Sequence, residues 1–305
     1  MKKTFYSNGK LLITGEYLVL DGAKAFALPT KFGQNLNIES SEGNLIEWKS
    51  YDSDGSVWFE ENIPFSSIIR NERFDDAKNI KNTLIEILHE AYRMNSDFIT
   101  TSKGYKITTE LTFPKLWGLG TSSTLINNIA QWLEINAFEL LKNSFGGSGY
   151  DIACAQNCSP IIYQIANEKP VVQFVDFNPD FKDKIFFVYL NKKQSSKSSI
   201  AAYYGKEGNI EKRIPVLNAI TERVVQATTA KEFAIALQSH EMEISTILEV
   251  PTVQESLFSD FDGVVKSLGA WGGDFVMSIS KENPTVYFRN KGFDVVIPYE
   301  EMIVQ

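Results

Sequence analysis

A glycine-rich segment in the middle of the chain combines residue types that bind phosphate groups. Residues 118–123 are GLGTSS, and apolar residues at helical spacing follow them as far as residue 141. Glycines allow a sharp turn whose backbone N–H groups point outward, and the start of a helix favours an anion. The hydroxyl groups add hydrogen-bond donors or a magnesium ligand. The alternative is an ordinary turn with a helix N-cap, and the segment alone leaves both interpretations open.

Two charged residues elsewhere could take part in the same chemistry, although each has an ordinary structural interpretation. Asp151 follows a glycine cluster at a predicted helix start, where the helix dipole by itself favours an acid. Lys10 interrupts an apolar strand, as a lysine on an edge strand does. The Walker loop, the dinucleotide-binding fingerprint, the nucleophile elbow and the zinc-protease helix all fail to match. Because His89 and His240 are the only histidines, the sequence argues against histidine-based catalysis.

The elements that must position these residues are a mixture of strands and helices. Alternating polar and apolar residues predict strands in the first part of the chain at 10–13, 16–20, 25–28, 35–38, 56–59 and 105–113. Further strands are predicted at 160–165, 171–175, 185–190, 275–279, 285–288 and 295–297. Helical spacing predicts helices at 77–94, 125–141, 214–226, 230–248 and 258–268, with another helix starting near residue 150. The pattern indicates an α+β protein.

Composition limits the class of protein. The 305 residues carry 30 Lys and Arg against 38 Asp and Glu, a net charge of −8, which argues against a protein built mainly to bind nucleic acid. A hydrophobic content of 43% is enough for a large core, so the composition excludes disorder. The apolar runs are too short for a membrane span, and a signal-peptide pattern is missing after Lys2 and Lys3. We therefore expect a cytoplasmic protein without nucleic-acid or membrane partners. Cys154 and Cys158 are interpreted as buried thiols on one helical face.

Four segments, in order, resemble the motifs of the GHMP kinase superfamily, named for galactokinase, homoserine kinase, mevalonate kinase and phosphomevalonate kinase. Residues 8–22, NGKLLITGEYLVLDG, resemble its first motif, and residues 114–122, PKLWGLGTS, resemble its second. Residues 147–153, GSGYDIA, are similar to the segment that carries the catalytic aspartate, especially in phosphomevalonate kinases. Residues 269–274, GAWGGD, stand where the third, glycine-rich motif is expected. The resemblance covers almost the whole chain.

The resemblance implies a two-domain α+β fold. Residues 1–176 would form an N-terminal ribosomal-protein-like βαβ domain that binds ATP, and residues 177–305 a C-terminal ferredoxin-like domain. It also implies an ATP-dependent small-molecule kinase with ATP and Mg²⁺ as cofactors, acting as a monomer or homodimer. Phosphoryl transfer requires in-line positioning and charge stabilisation more than covalent chemistry, which suits a glycine-rich loop with one acid and one lysine.

The resemblance also assigns roles to individual residues. Asp151 would face the substrate hydroxyl, with Lys10 beside it. ATP phosphates would be bound by Gly118, Leu119, Gly120, Thr121, Ser122 and Ser123, with Ser122 and Ser123 near magnesium. Substrate contacts would come from Glu16, Tyr17, Lys197, Gly272 and Gly273.

The sequence departs from the family pattern in ways that leave the reaction open. Glu134 and Glu139 are only guesses for the acidic magnesium ligand, and the third motif is abbreviated. Tyr17 favours the mevalonate and phosphomevalonate branch, without separating the two substrates. Lys197 lies in a lysine- and serine-rich loop that could meet an anionic phosphate or simply be solvated. The alternatives are an ATP-dependent diphosphomevalonate decarboxylase of the same fold and a non-catalytic ligand-binding or regulatory homologue.

Overall fold

The computed structural model describes residues 2–73, 79–192, 196–205 and 210–304, with the backbone alone described at 196–198 and 202. These residues form two compact units that are interleaved along the chain. Unit 1 comprises Met1–Gly9, Phe32–Lys115 and Leu119–Gln156. Unit 2 comprises Lys10–Lys31, Leu116–Gly118 and Asn157–Gln305. Strands β1 (Lys3–Thr14) and β2 (Ala25–Ser40) pair with each other, and each contributes residues to both units.

Unit 1 contains a mixed sheet. Its strands β3 (Leu45–Tyr51), β4 (Val57–Pro64) and β5 (Tyr105–Leu111) join residues 34–40 of β2 in the order β4-β3-β5-β2. β3 and β5 are parallel, and the other neighbours are antiparallel. Along β5, Ile107, Thr109 and Leu111 are buried while the residues between them are more exposed. This alternation is typical of a strand with one face on the core.

Helices cover the core of unit 1. They are α1 (Phe65–Arg70), α2 (Ile80–Met94), α3 (Asp97–Thr100), α4 (Thr121–Leu133), α5 (Ala137–Ser144) and α6 (Tyr150–Gln156). Leu84, Leu88 and Ala91 form the apolar stripe of α2 and are buried in one cluster with Trp48. The helix predicted over 125–141 is two helices, because Glu134 takes a left-handed conformation, with φ of 54°.

Unit 2 contains two groups of strands. Residues 25–27 of β2 pair with β6 (Ile161–Ala166), and β6 pairs with β7 (Lys169–Phe174). A separate antiparallel sheet has the order β11-β8-β10-β9, formed by β8 (Ile185–Tyr189), β9 (Val264–Ser267), β10 (Phe275–Ile279) and β11 (Val296–Pro298). Its helices are α7 (Ser196–Tyr204), α8 (Ile210–Gln226), α9 (Ala230–Leu248), α10 (Val253–Leu257), α11 (Thr285–Asn290) and α12 (Tyr299–Met302).

Several predicted elements are wrong for local reasons. Residues 16–20 are not a strand, since a short 3-10 helix, Leu18–Asp21, turns the chain there. Residues 264–267 pair with β10 and so form β9 rather than part of a helix. Residues 285–288 begin α11, where the Asn283 side chain accepts a hydrogen bond from the Thr285 N–H at 2.9 Å. Cys154 is buried as predicted, but Cys158 lies beyond the end of α6 and is exposed.

Within the described parts of the chain, no helix combines sufficient length with sufficient apolar character to span a membrane.

Candidate functional site

The central part of the predicted phosphate-binding segment lies in unit 1, at the N-terminus of α4. Gly120 is the N-cap residue with φ of 104°, a left-handed conformation that favours glycine. Among the residues that the structure describes, no side chain caps this helix. The first N–H groups of α4 are therefore not occupied by a capping side chain. Together with the positive end of the helix dipole, they suit an anionic group.

Three hydroxyl side chains occupy the first turn of α4. The Ser123 Oγ is turned back and donates to the Gly120 carbonyl oxygen at 2.9 Å. The Thr121 Oγ1 is buried and has no hydrogen-bond partner within the described residues, which is uncommon for a buried hydroxyl. Ser122 is half-buried beside it. An unpartnered hydroxyl at a helix N-terminus, next to further hydroxyl oxygens, fits ATP phosphates with a hard cation such as Mg²⁺.

Buried polar residues that sequence reasoning missed hold α4 against the strands of unit 1. The Thr124 Oγ1 lies 2.8 Å from the Gln34 Oε1, and the Asn128 Nδ2 donates to the Gln34 carbonyl oxygen at 2.9 Å. The Ser7 Oγ donates to the Asn128 Oδ1 at 2.7 Å. All four residues are buried, so these hydrogen bonds fix the register of α4 on β1 and β2. Asparagines at core positions of a helix were the available sequence signal.

Asp151 lies in the first turn of α6, which packs against α4. Its side chain is half-buried, and its Oδ1 accepts the Ile152 N–H at 3.1 Å. The glycines at 146, 147 and 149 take positive φ values immediately before this helix. The structure therefore places Asp151 on a helix adjacent to the one that begins with residues 121–123.

Lys10 and Gly118 meet in unit 2. The half-buried Lys10 side chain extends from β1, and its Nζ donates to the Gly118 carbonyl oxygen at 2.9 Å. The residues before Gly118 are also held in this unit, because the Tyr189 hydroxyl donates to the Leu116 carbonyl oxygen at 3.1 Å. The Trp117 ring packs edge-on against Phe275, with ring centroids 5.4 Å apart. The first residue of the glycine-rich segment therefore has a fixed position next to an ammonium group.

Asp274 is a further charged residue at Gly118 that the sequence did not single out. A Cβ atom on Gly118 would lie 2.4 Å from the Asp274 Cγ and 2.5 and 2.6 Å from its two carboxylate oxygens. The carboxyl group therefore lies directly over the Gly118 Cα. Burial and the nearby charge of Asp274 raise the pKa of Tyr189. The available signal was the position of Asp274 at the end of the glycine cluster 269–274.

Tyr17 links three segments of unit 2. It has φ of 61°, an uncommon conformation for an aromatic residue, and is buried. Its hydroxyl accepts the Trp271 N–H at 3.1 Å, and its ring stacks on Tyr203 of α7 at 5.5 Å. Burial raises the pKa of the Tyr17 hydroxyl. Tyr17 therefore supports the loop that contains Gly272 and Gly273.

Glu16 is buried in a charged cluster of unit 2. Its Oε1 lies 2.5 Å from the Lys266 Nζ, and the second carboxyl of the cluster, Glu241, has its Oε2 3.9 Å from the same nitrogen. Burial raises the pKa of Glu16 to about 7, against the opposing effect of Lys266, and also raises the pKa of Glu241. Glu16 is 1% exposed. In this structure its carboxyl group faces the interior of unit 2.

His240 completes this cluster. Its Nε2 accepts the Gly15 N–H at 2.9 Å, so the neutral ring carries its proton on Nδ1. Burial, assisted by the charge of Lys266, lowers the pKa of His240 well below its ordinary value. His240 is fully buried and neutral, and it holds the turn at Gly15 on α9.

The other predicted residues are placed as follows. Gly272 is exposed and Gly273 is buried, in the loop before β10. The side chain of Lys197 lies outside the described residues. Glu134 is the C-cap of α4, about 18 Å along the helix axis from Ser122. Glu134 therefore cannot share an ion with Ser122, and Glu139 lies further along the chain in α5.

The predicted site residues thus form two sets, one in each unit. Unit 1 contains Leu119, Gly120, Thr121, Ser122, Ser123 and Asp151. Unit 2 contains Lys10, Glu16, Tyr17, Gly118, Gly272 and Gly273. The glycine-rich segment begins in unit 2 and continues into unit 1 after Gly118.

No protein-family model matches the sequence. No curated protein matches it either.

Solved structures, in contrast, match it over nearly its whole length. The mevalonate kinase of Methanococcus jannaschii has a TM-score of 0.71 at 13% identity, covering 100% of this chain and 99% of that one. The phosphomevalonate kinase of Streptococcus pneumoniae, solved with phosphomevalonate and AMPPNP, has a TM-score of 0.71 at 14% identity, covering 97% and 99%. The chain has the fold of the GHMP kinases. The galactokinase of Lactococcus lactis, solved with galactose, also matches, with a TM-score of 0.65 at 13% identity, covering 95% and 88%.

The predicted GHMP kinase fold and its α+β class are therefore confirmed. The neighbours with this fold are kinases that differ in substrate, as their names state. Since one fold serves several substrates, function must be argued from the site residues of this chain.

Proposed function

We propose that the chain is an ATP-dependent small-molecule kinase that transfers the γ-phosphoryl group to a mevalonate-like substrate. The observation that carries the proposal is the uncapped N-terminus of α4, where Gly120 and three hydroxyl residues precede an acid on the adjacent helix. A helix N-terminus of this kind suits phosphate groups. The likeness of the fold to kinases over the whole chain supports the same conclusion.

In the proposed mechanism, the backbone N–H groups at the start of α4 bind the ATP phosphates. Ser122 and Ser123 would hold Mg²⁺, and the unpartnered Thr121 hydroxyl would donate to a phosphate oxygen. When bound, Mg²⁺ neutralises charge on the phosphate oxygens. The segment acts by positioning and charge stabilisation, since its hydrogen bonds are already oriented before the substrate binds.

Asp151 and Lys10 act on the phosphoryl acceptor. Asp151 orients the acceptor group and, for a hydroxyl, accepts its proton as the new O–P bond forms and the bond from the γ-phosphorus to the ADP oxygen breaks. Lys10 stabilises the developing negative charge, with its ammonium already fixed by the Gly118 carbonyl oxygen. The products are ADP and the phosphorylated substrate, and the proton leaves through Asp151.

The acceptor is proposed to be mevalonate or phosphomevalonate, with the phosphoryl group going to a hydroxyl in the first and a phosphate in the second. This choice rests on Tyr17 and on the resemblance of residues 147–153 to that branch. Tyr17 then acts by positioning the loop at Trp271 and not by direct chemistry. Its hydroxyl accepts a hydrogen bond from the Trp271 backbone N–H.

The test is ADP release with magnesium and ATP over a panel of mevalonate, phosphomevalonate, diphosphomevalonate, homoserine and simple sugars. Phosphate and carbon dioxide are measured in parallel to detect a decarboxylase. We expect turnover of one mevalonate-type substrate without carbon dioxide. Asp151→Asn should lower kcat by about 10²-fold to 10⁴-fold, because the asparagine side chain cannot take the proton from the substrate hydroxyl.

Asp97→Asn is the matched control, since Asp97 is also an acid in the first turn of a helix in unit 1. If Asp151 were only a helix-start acid, the two variants would behave alike. Equal activity of both variants would remove Asp151 from the mechanism. Absence of nucleotide binding in the wild-type protein would contradict the kinase proposal itself.

A further inference from the structure

The chain turns sharply at Tyr17, shortly after the end of β1. Tyr17 has φ of 61° and ψ of −53°, and the Leu18 N–H donates to the Glu16 carbonyl oxygen at 2.7 Å. This geometry is a γ-turn with positive φ, the rarer and more strained of the two γ-turn forms. A bulky residue keeps such a conformation only where the surrounding structure holds it, and strain of this kind is concentrated at functional sites.

A buried ion pair holds the residue that precedes Tyr17. The Lys266 Nζ donates to the Glu16 Oε1 at 2.5 Å and to the Ser267 carbonyl oxygen at 2.7 Å. Lys266 lies on β9 and is fully buried, and the Glu241 Oε2 is 3.9 Å from its ammonium nitrogen. Replacing a buried ion pair with apolar side chains often leaves stability unchanged or raises it, so stability alone does not account for this pair.

The hydroxyl group of Tyr17 contacts the loop 268–274, which joins β9 to β10. It accepts the Trp271 N–H at 3.1 Å. A continuous series of contacts therefore runs from Lys266 through Glu16 and Tyr17 to the middle of this loop. All of these residues belong to unit 2.

We propose that Lys266 is a positioning residue for the phosphoryl acceptor. Through Glu16 it keeps Tyr17 in the strained turn, and Tyr17 then holds the loop that contains Gly272 and Gly273. This inference rests on the proposed function, because it assumes that these two glycines contact the acceptor. Without the Lys266 ammonium, the turn relaxes to a less strained conformation and the Tyr17 hydroxyl moves away from the loop.

The experiment measures hydrogen exchange of the Trp271 amide and steady-state kinetics at pH 8, where Glu16, with a pKa of about 7, is ionised. Lys266→Met removes the ammonium and keeps an unbranched side chain. We expect exchange of this amide to become about tenfold faster, equivalent to about 1.4 kcal/mol, which one residue in a rare conformation can store. The KM for the acceptor should rise by a similar factor, while the KM for ATP stays unchanged.

Tyr17→Phe tests whether the effect passes through the Tyr17 hydroxyl. By itself it should speed exchange of the Trp271 amide and raise the acceptor KM as Lys266→Met does. Adding Lys266→Met to Tyr17→Phe should then change either quantity by less than about twofold, because the two residues act in series. If Lys266→Met does not fold, Glu16→Gln replaces it in this comparison, since it removes the charge that pairs with Lys266.

Val265→Ala is the matched control, because β9 also leads directly into the loop. Val265 is buried beside Lys266 in sequence and packs in a cluster with Val188 and Val276, on the opposite face of the strand. The control should lower stability and leave both the amide exchange and the acceptor KM unchanged.

The proposal is overturned if the effects of Lys266→Met and Tyr17→Phe add, because Lys266 then acts on the loop by another route. It is also overturned if Val265→Ala changes the loop as much as Lys266→Met, as a loss of stability alone would. A wild-type protein that turns over no acceptor contradicts the proposed function, whereas the exchange measurements still decide whether Lys266 positions the loop.

Discussion

Gly118 is restricted both in backbone conformation and in side-chain size. Its φ is 70°, and a Cβ atom would overlap the Asp274 carboxyl group. Either restriction alone is common for a glycine in a turn, but the second depends on a residue far away in the sequence. Spacing within segment 118–123 predicted the glycine, and only the folded chain identifies its neighbour.

Substitutions at positions 118 and 274 should separate the cost of the left-handed conformation from the cost of the overlap with the Asp274 carboxyl group. Gly118→Ala should lower the free energy of unfolding by about 1–2 kcal/mol for the left-handed conformation, with a further loss from the overlap. Gly269→Ala is the control, because Gly269 has φ of 67° and open space around it. Adding Asp274→Gly should bring Gly118→Ala close to the cost of the control, as measured by denaturant unfolding. Equal costs for the two single variants would show that the carboxyl group moves freely aside.

At the scale of elements, a buried charged cluster joins the end of β1 to α9 and β9. Glu16 follows β1, His240 and Glu241 lie on α9, and Lys266 lies on β9. Within the described residues, the Glu16 Oε2, the Glu241 Oε2 and the His240 Nδ1 are buried without a hydrogen-bond partner. One ammonium thus faces two carboxyl groups and a neutral imidazole, so retention of one proton balances the charge. Burial is the main reason that the pKa of Glu16 is raised, and the neighbouring Glu241 carboxyl adds a smaller effect in the same direction, while Lys266 opposes both.

Stability should therefore depend on the ionisation of Glu16. Because the pKa of Glu16 is about 7 in the folded chain and about 4.5 when unfolded, the folded state binds the extra proton between these pH values. Stability from this group falls as pH rises from 4.5 to 7, by on the order of 3 kcal/mol. His240 has the opposite sign, since its lowered pKa removes stability as pH falls below its ordinary value of 6.5.

Glu16→Gln should remove the pH dependence of stability that comes from Glu16 and leave the one that comes from His240. The stability of this variant relative to the wild type should rise between pH 5 and pH 7 and level off above pH 8, as measured by denaturant unfolding at each pH. Glu243→Gln is the control, because it breaks the ion pair between Glu243, also on α9, and Arg213 of α8. Parallel curves for the wild type and Glu16→Gln would mean that Glu16 does not hold the proton.

The predictability of each element follows from where its stability originates. α2 and α9 have long apolar stripes and polar N-caps, so local sequence predicted them. Residues 264–267 and 285–288 are short, and local propensity cannot distinguish helix from strand over such lengths. Pairing with β10 makes residues 264–267 a strand, and the hydrogen bond from the Thr285 N–H to the Asn283 side chain favours the helix at 285–288. In the same way, the resemblance to the family motifs pointed to Asp151 and residues 118–123, but not to Asp274, whose neighbour is set by tertiary packing.

For the whole molecule, the two units do not follow a single division of the chain. The sequence suggested a boundary after residue 176, and that boundary stays a prediction. The compact units are interleaved along the chain. Residues 25–27 of β2 pair with β6, β6 pairs with β7, and all three segments belong to unit 2. β1 and β2 each carry residues of both units. A linear sequence pattern does not reveal such sharing, since it arises from pairing between distant segments.

Because two continuous strands are shared, we expect the units to unfold together. Leu88 is fully buried in the core of unit 1, and Leu88→Ala should cost about 2–5 kcal/mol, or a lower Tm by roughly 3–8 °C. Hydrogen exchange measured by mass spectrometry near the transition should show the same loss of protection in β10, which lies in unit 2, as in α2. Val286→Ala, at an exposed residue of unit 2, is the control and should leave the Tm and the hydrogen-exchange protection unchanged. If only α2 and its neighbours lose protection, the shared strands do not transmit unfolding and each unit is an independent cooperative unit.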